Sequence, residues 1–352
     1  MLVDAIDRLP LTQQASNLSG LAVAMNARGD RSAAKIQALR AWRLAREIGD
    51  SKDIDKARVA LSAISPGYHI QISTDAMRIA AWQAALTDLL RPGMLVLEVG
   101  AGSGILAMLA AQGGADVVSC EEDIVLASIA QEVVRHNGLA GRIRIIGKPV
   151  ADLRVPEDLP RPADLLLLDV FGDTLFNFNP FKTVREASRL LRPGAITVPM
   201  HVSLLAALSD FRRWRRVVPG RVAGFDLGPL LDLASMQLNL DAADPDLLLR
   251  STAEPMVSAA LPDDLPAPNG VSERMLVSDG GPVNGVALWL RIELARGHVL
   301  EARPGVTPVG FYAKPQFFAF REPFDTMPGQ ACSIRLEWMG KQLSIGPSDG
   351  LR

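Results

Sequence analysis

Hydrophobic and polar positions change rhythm along the chain. Over residues 1–64, Ala34, Ala38, Ala41, Ala45 and Ile48 recur at helical spacing, while Lys35, Arg40, Arg43 and Arg46 fall largely elsewhere on the same helix. Small side chains on one stripe permit close helix–helix contact. With Leu18, Leu21, Ala22 and Met25 before the Gly29-Asp30 turn, the pattern predicts one hairpin of tetratricopeptide type or a plain helical packing extension. Residues 65–90 open on the breaker Ser65-Pro66-Gly67 and continue into a helix with Thr74 or Ser73 as its N-cap. From 94 to 199 short apolar runs alternate with helical stretches, the signature of a parallel sheet wound with helices. The predicted strands are Met94–Val99, Val117–Cys120, Arg142–Ile146, Leu165–Leu168 and Ala195–Val198. Helices are predicted between them at Ile105–Ala111, Ile124–His136 and Thr183–Leu191. Beyond Pro199 the alternation stops, and runs such as Val286–Leu294, Phe317–Phe320 and Cys332–Trp338 predict a mostly β domain. The leucine-rich stretch Leu227–Arg250 is predicted as a helical insertion into it. The expected domains are therefore 1–64, 65–199 and 200–352.

Composition narrows the picture without adding chemistry. A chain of 352 residues exceeds what one core usually supports, which agrees with several units. Hydrophobic residues at 48% and charged residues at 22% are those of an ordinary globular protein, and a formal net charge of −2 recruits neither nucleic acid nor an anionic membrane. Cys120 and Cys332 are the two cysteines, and the histidines are His69, His136, His201 and His298. No disulfide framework and no CxxC or HxxxH metal spacing follows from these. The N-terminal Met1–Arg8 run is acidic where a signal peptide needs an apolar core, so a cytoplasmic location is expected.

The candidate chemistry begins at Val96–Leu106, an apolar strand, a glycine-rich turn and a helix start. Glycines let the backbone approach a ligand and take positive φ. The spacing Gly100-Ala101-Gly102-Ser103-Gly104 is G-x-G-x-G; a dinucleotide fingerprint requires a third glycine where Ile105 stands, which argues against a nicotinamide cofactor. Glu98 precedes the turn. Glu121 follows the second strand, 21 positions after Gly100, where an acidic side chain accepts hydrogen bonds from ribose hydroxyls, and the adjacent Glu122 is an equal candidate. Asp152 follows the third strand, on the adenine side or as a solvated loop aspartate. Arg78, in Asp75-Ala76-Met77-Arg78, is placed either to hold a ligand carboxylate or as a solvated helix residue.

Taken together these segments resemble the protein arginine methyltransferase family over roughly residues 65–345. Tyr68-His69-Ile70 through Arg78 and Trp82 is similar to the segment that folds over S-adenosylmethionine (SAM); the resemblance implies that Arg78 holds the methionine carboxylate with His69 nearby. Val96–Leu106 with Met108, Ala110 and Ala111 resembles the family's first motif, and Arg192-Pro193-Gly194 through Pro199 its closing strand. The resemblance implies a Rossmann-like class I methyltransferase domain, a β-barrel domain and a helical dimerisation arm beginning at Gly224-Phe225-Asp226-Leu227. SAM is then the expected cofactor and a homodimer the expected assembly, with no membrane or nucleic-acid partner.

The catalytic positions depart from the family. Its two guanidinium-clamping glutamates correspond here to Asp169, one methylene shorter, and to Phe178; Asp173 is the other carboxylate on this loop. Of its Thr-His-Trp loop, the stretch Phe311–Gln316 keeps the glutamine alone. One carboxylate leaves a buried guanidinium underpaired, at a cost of several kcal/mol, on the order expected for broken buried ion pairs. The expected function is SAM-dependent methyl transfer to a guanidino or other nitrogen of a protein, peptide or small molecule, with Asp169 and Asp173 as catalytic candidates. The alternative is a catalytically silent SAM-binding and dimerisation module. The basic run Phe211–Arg216 reads as a solvated strand edge or helix face, or as a contact to nucleic acid or an acidic peptide.

Overall fold

Alanines at helical spacing bring helices close, and the N-terminal segment is built on that contact. The structure, a computed structural model, describes residues 2–64, 67–217, 221–233, 236–307 and 314–348. Four helices open it: α1 (Leu2–Ile6), α2 (Leu11–Ala27), α3 (Arg31–Ile48) and α4 (Ser51–Ile64). Ala41, Ala45 and Ala57 pack with Ile6, Ala15 and Leu18, and Ala38 packs with Ala22 and Ala60. Ala34 is equally buried. Asp30 caps α3 by accepting from the Ala33 N–H, and Gly49 closes it in the left-handed conformation.

Next come α5 (Tyr68–Thr74), α6 (Ala76–Leu89), β1 (Leu95–Val99), α7 (Ile105–Gln112), β2 (Asp116–Cys120), α8 (Ile124–His136), β3 (Ile143–Ile146), β4 (Ala163–Leu168), α9 (Pro180–Ser188) and β5 (Leu191–Val198). The cap of α6 is Asp75, whose carboxylate accepts from the Arg78 N–H at 3.0 Å, rather than Thr74 or Ser73. A carboxylate satisfies the helix-start donors better than a hydroxyl one residue earlier. Strands β1, β2 and β3 pair in parallel, and the five strands stand in the order β3-β2-β1-β4-β5. Every residue of β1 and β4 is buried, as strands covered on both faces require.

Beyond Pro199 the chain forms β6 (His201–Phe211), α10 (Arg212–Val217), β7 (Arg221–Val222), β8 (Phe225–Asp226), β9 (Gln237–Asn239), β10 (Leu247–Leu249), β11 (Glu254–Ala260), β12 (Asn269–Ala295), β13 (His298–Glu301), β14 (Gln316–Met339) and β15 (Gln342–Pro347). Eight of these strands make an antiparallel sheet, with β12 paired to both β6 and β14. Its core includes Leu204, Leu208, Leu288, Trp289, Phe317 and Leu336.

The Leu227–Arg250 stretch differs from its prediction. Among the described residues it holds a 3-10 turn at Gly228–Leu233 and the short strands β9 and β10, which pair with β14 and β6. Pro229 and Pro245 disfavour a continuous helix over this stretch. The predicted breaker residues Ser65 and Pro66, and Phe311, Tyr312 and Ala313, lie outside the described residues. Within the basic run, Arg213 faces Asp244 and Asp246 at 3.4 Å while Trp214 is buried. Among the described residues no helix is long and apolar enough to cross a membrane.

The chain divides into two compact units that interleave in sequence: residues 1–74 with 90–164, and 75–89 with 165–352.

Candidate active site

In the first unit the glycine turn is held in a shape other residues resist. Gly100, Gly102 and Gly104 have φ of +85°, +52° and +80°, where a Cβ is strained. The Gly100 and Ala101 N–H groups donate to the Cys120 carbonyl at 2.9 and 3.1 Å, fixing the turn to the end of β2. Beneath it Glu98 is buried and accepts a hydrogen bond from Ser119 of the neighbouring strand.

Glu121, one residue past β2, uses both carboxylate oxygens. Oε2 accepts from the Gly102 N–H and Oε1 from the Asp123 N–H, each at 3.0 Å. Burial pushes this carboxyl above the ordinary glutamate value, and the two N–H donors partly offset that. Each oxygen retains a lone pair for a hydroxyl. Glu122, the neighbouring candidate, is exposed. Asp152 is also exposed, at the end of a 3-10 turn over Val150–Asp152.

Helix α5 lies against the turn. Ser73 Oγ donates to Ser103 Oγ at 2.8 Å, and the His69 ring lies beside Gly102, 3.5 Å from where a Cβ would stand. Tyr68 stacks on His69 with ring centroids 4.2 Å apart. Burial pushes the His69 imidazole below its ordinary value, so it favours the neutral form. The Ser73–Ser103 contact and Asp123 were not legible as site features, because neither belongs to a chemical motif.

In the second unit two residues given separate roles are partners. Arg78, 3% exposed, donates from Nε to Asp169 Oδ2 at 2.6 Å, and its Nη2 faces the same oxygen. The Asp169 side chain is 6% exposed. It follows β4, and Arg78 lies on the first turn of α6. A carboxylate expected on the acceptor side alone is thus also the group that orients Arg78.

Asp173 lies further along the loop, half-buried. It accepts from the Lys314 N–H at 3.2 Å and from Asn239 Nδ2 at 3.5 Å. Burial raises its carboxyl, offset by that N–H and by the Lys314 charge. Asn239 Oδ1 accepts from Gln316 Nε2 at 3.0 Å, and Gln316 Oε1 accepts from Gln237 Nε2 at 2.9 Å. The glutamine kept from the family's loop is therefore wired to Asp173. Phe178 is 52% exposed, and its ring leans on Gly172, where an added Cβ would approach it to 2.9 Å. Phe176 stacks on Trp338 at 5.3 Å. Thr174, Asn177, Gln237, Glu337 and Trp338 help line an open cavity of about 670 Å³ in this unit.

The chain is similar to several known methyltransferases. Residues 44–151 match the family model described as protein-L-isoaspartate(D-aspartate) O-methyltransferase, a match confined to the turn-bearing part of the chain. Over 288 residues the chain is 28% identical to an arginine N(omega)-methyltransferase of Streptomyces achromogenes subsp. streptozoticus, covering 80% of this chain and 78% of that protein. It is 33% identical over 117 residues to protein arginine N-methyltransferase 7 of Drosophila ananassae, covering 33% of this chain but only 17% of that protein. Among solved structures, the Trypanosoma brucei PRMT1 enzyme-prozyme complex with AdoHcy aligns with a TM-score of 0.69 at 22% identity, over 81% of this chain and 95% of that one. Arabidopsis thaliana protein arginine methyltransferase 10 aligns at 0.61 and 20%, over 76% and 86%. These two likenesses establish the fold. The parallel sheet with its glycine turn is the class I methyltransferase fold. Over most of its length the chain is similar to an arginine N(omega)-methyltransferase, and it shares the fold of the protein arginine methyltransferases.

Proposed function

We propose that this protein transfers a methyl group from SAM to a guanidino nitrogen of arginine. The observation that carries the reading is Glu121, a buried carboxylate hydrogen-bonded to the Gly102 amide across a turn of positive-φ glycines. In this assignment Glu121 accepts from the ribose hydroxyls and Arg78 holds the methionine carboxylate. His69 covers the glycine turn, with Glu98 bracing the turn from below and Asp152 on the adenine side. Bound there, SAM supplies an electrophilic methyl for in-line displacement.

The acceptor assignment draws on the streptomycete relative, whose name specifies arginine and which aligns over most of both chains. A guanidinium has a pKa above about 12 and delocalised lone pairs, so it must be fixed and polarised before one nitrogen attacks. Asp169 supplies a carboxylate at the end of β4, where α/β sheets place their chemistry, and Asp173 supplies a second on the same loop. With Phe178 at the family's second glutamate position, the guanidinium is held on one edge, and monomethylation is the expected product. We further propose a homodimer, supported by exposed Val222, Phe225 and Leu230.

Calorimetry with SAM tests the cofactor half. The reading expects micromolar binding by the wild type and at least about tenfold loss in Arg78→Ala, the range for a charge-assisted contact. Absence of binding by the wild type would overturn it.

A further inference from the structure

We infer that Lys35 of α3 is a positioning residue for the cofactor turn, so that the N-terminal helices set cofactor affinity as well as extending the fold. The inference rests on the assignment of Glu121 to the ribose. Three side chains on one face of α3 reach α8. Lys35 Nζ lies 2.7 Å from Asp123 Oδ2, Arg43 Nη2 donates to Ser128 Oγ at 3.1 Å, and Arg46 Nη1 lies 3.0 Å from Glu132 Oε1. The first contact is the least exposed, with side chains 26% and 15% accessible against 46% and 28% for Arg46–Glu132. It is therefore the least screened of the two ion pairs.

Asp123 is where the helices meet the site. Its Oδ1 accepts from the Val125 and Leu126 N–H groups and caps α8, while Oδ2 takes Lys35. Its own N–H donates to Glu121 Oε1, and Glu121 Oε2 accepts from the Gly102 N–H. Lys35, Asp123, Glu121 and Gly102 thus form one continuous chain of polar contacts from α3 to the glycine turn. Lys35 also balances a negative charge beside Glu121. Without it, the Asp123 carboxylate is freed from one anchor and its field on Glu121 is no longer offset. The Asp123 N–H that holds Glu121 then loses part of its orientation. Charge-assisted contacts of this kind transmit position because each link has few alternative geometries.

Binding of S-adenosylhomocysteine to the full chain, measured by calorimetry, is the test. Lys35→Met should weaken binding about fivefold, the order of one partly buried ion pair. Lys35→Arg should restore it to within about twofold, since the cation is retained. In an Asp123→Asn background, Lys35→Met should cause no further loss, because the two act through one contact. Lys56→Met, which removes a contact to Asp53 and Ser16 in the same helices, should bind as the wild type. Lys35→Gln gives the same reading should the methionine variant fail to fold. Unchanged affinity in Lys35→Met and Lys35→Gln would overturn the inference while leaving the Glu121 assignment intact. Equal losses in Lys35→Met and Lys56→Met would overturn it too, since bulk packing would then suffice. A wild type that binds nothing would overturn both readings.

Discussion

Replacing Asp169 by asparagine keeps the outline of the side chain and removes its charge from beside Arg78. Both groups are almost wholly buried, and two guanidinium nitrogens converge on one Asp169 oxygen. Removing one partner of a buried ion pair costs about 3–5 kcal/mol, because the remaining charge has been taken out of water. Asparagine keeps one carbonyl acceptor, which places the expected loss near 3 kcal/mol, at the lower end of that range. For a unit of roughly 200 residues each kcal/mol moves the midpoint by about 2–4 °C, so Asp169→Asn should melt about 6–12 °C early. Thermal unfolding followed by circular dichroism reads this directly. The double variant Arg78→Met, Asp169→Leu should regain most of the loss, since an apolar pair of similar volume is neutral or stabilising at such positions. It should nonetheless bind SAM at least about tenfold more weakly, as Arg78→Ala should. Asp169→Asn should also lose affinity for SAM, through a misoriented Arg78, and about 100-fold in turnover, the order for one electrostatic stabiliser. A midpoint within a degree or so of wild type, with SAM affinity unchanged, would refute the coupling of these two residues.

Three further outcomes follow. Burial holds the Glu121 carboxyl above its ordinary 4.5, so its contribution to stability is complete below 4.5 and is lost as pH rises through the elevated value. Ribose binding needs the carboxylate, so affinity for S-adenosylhomocysteine should fall as pH drops through that same window; affinity that is flat down to pH 4.5 in a calorimetric series contradicts this. Phe178→Glu should create activity on arginine-rich peptides that the wild type methylates poorly, and mass spectrometry showing robust dimethylation by the wild type would overturn the argument from the missing glutamate. Light scattering at micromolar concentration should show a dimer, and a lone 37.8 kDa species would remove the proposed assembly.

What the sequence made legible was local. The alanine stripe of α3 was readable because period and size are both written in consecutive residues, and all four alanines are fully buried. The turn at Gly100–Gly104 was readable because its glycines answer a backbone requirement that needs no tertiary context. Arg78 and Asp169 are 91 positions apart, and nothing in either segment announces the other. Their contact is a product of tertiary structure alone. The same limit hid Lys35 and Asp123, 88 positions apart. The stretch 227–250 differs for another reason: leucine suits a helix or a buried strand, and Leu247–Leu249 is a strand paired to β6. Interleaving of the two compact units is likewise beyond a linear reading, since α6 belongs with residues that follow it by more than seventy positions.

Methyl transfer to an arginine nitrogen can be read from the labelled product itself. Incubating the full chain with methyl-labelled SAM and either free arginine or an arginine-rich peptide, then identifying the labelled product by mass spectrometry, tests it most directly. A single labelled methyl on a guanidino nitrogen is the expected product, abolished in Glu121→Ala and reduced about 100-fold in Asp169→Asn, the order for loss of one electrostatic stabiliser. SAM binding without label on either acceptor would contradict it and favour a silent binding module.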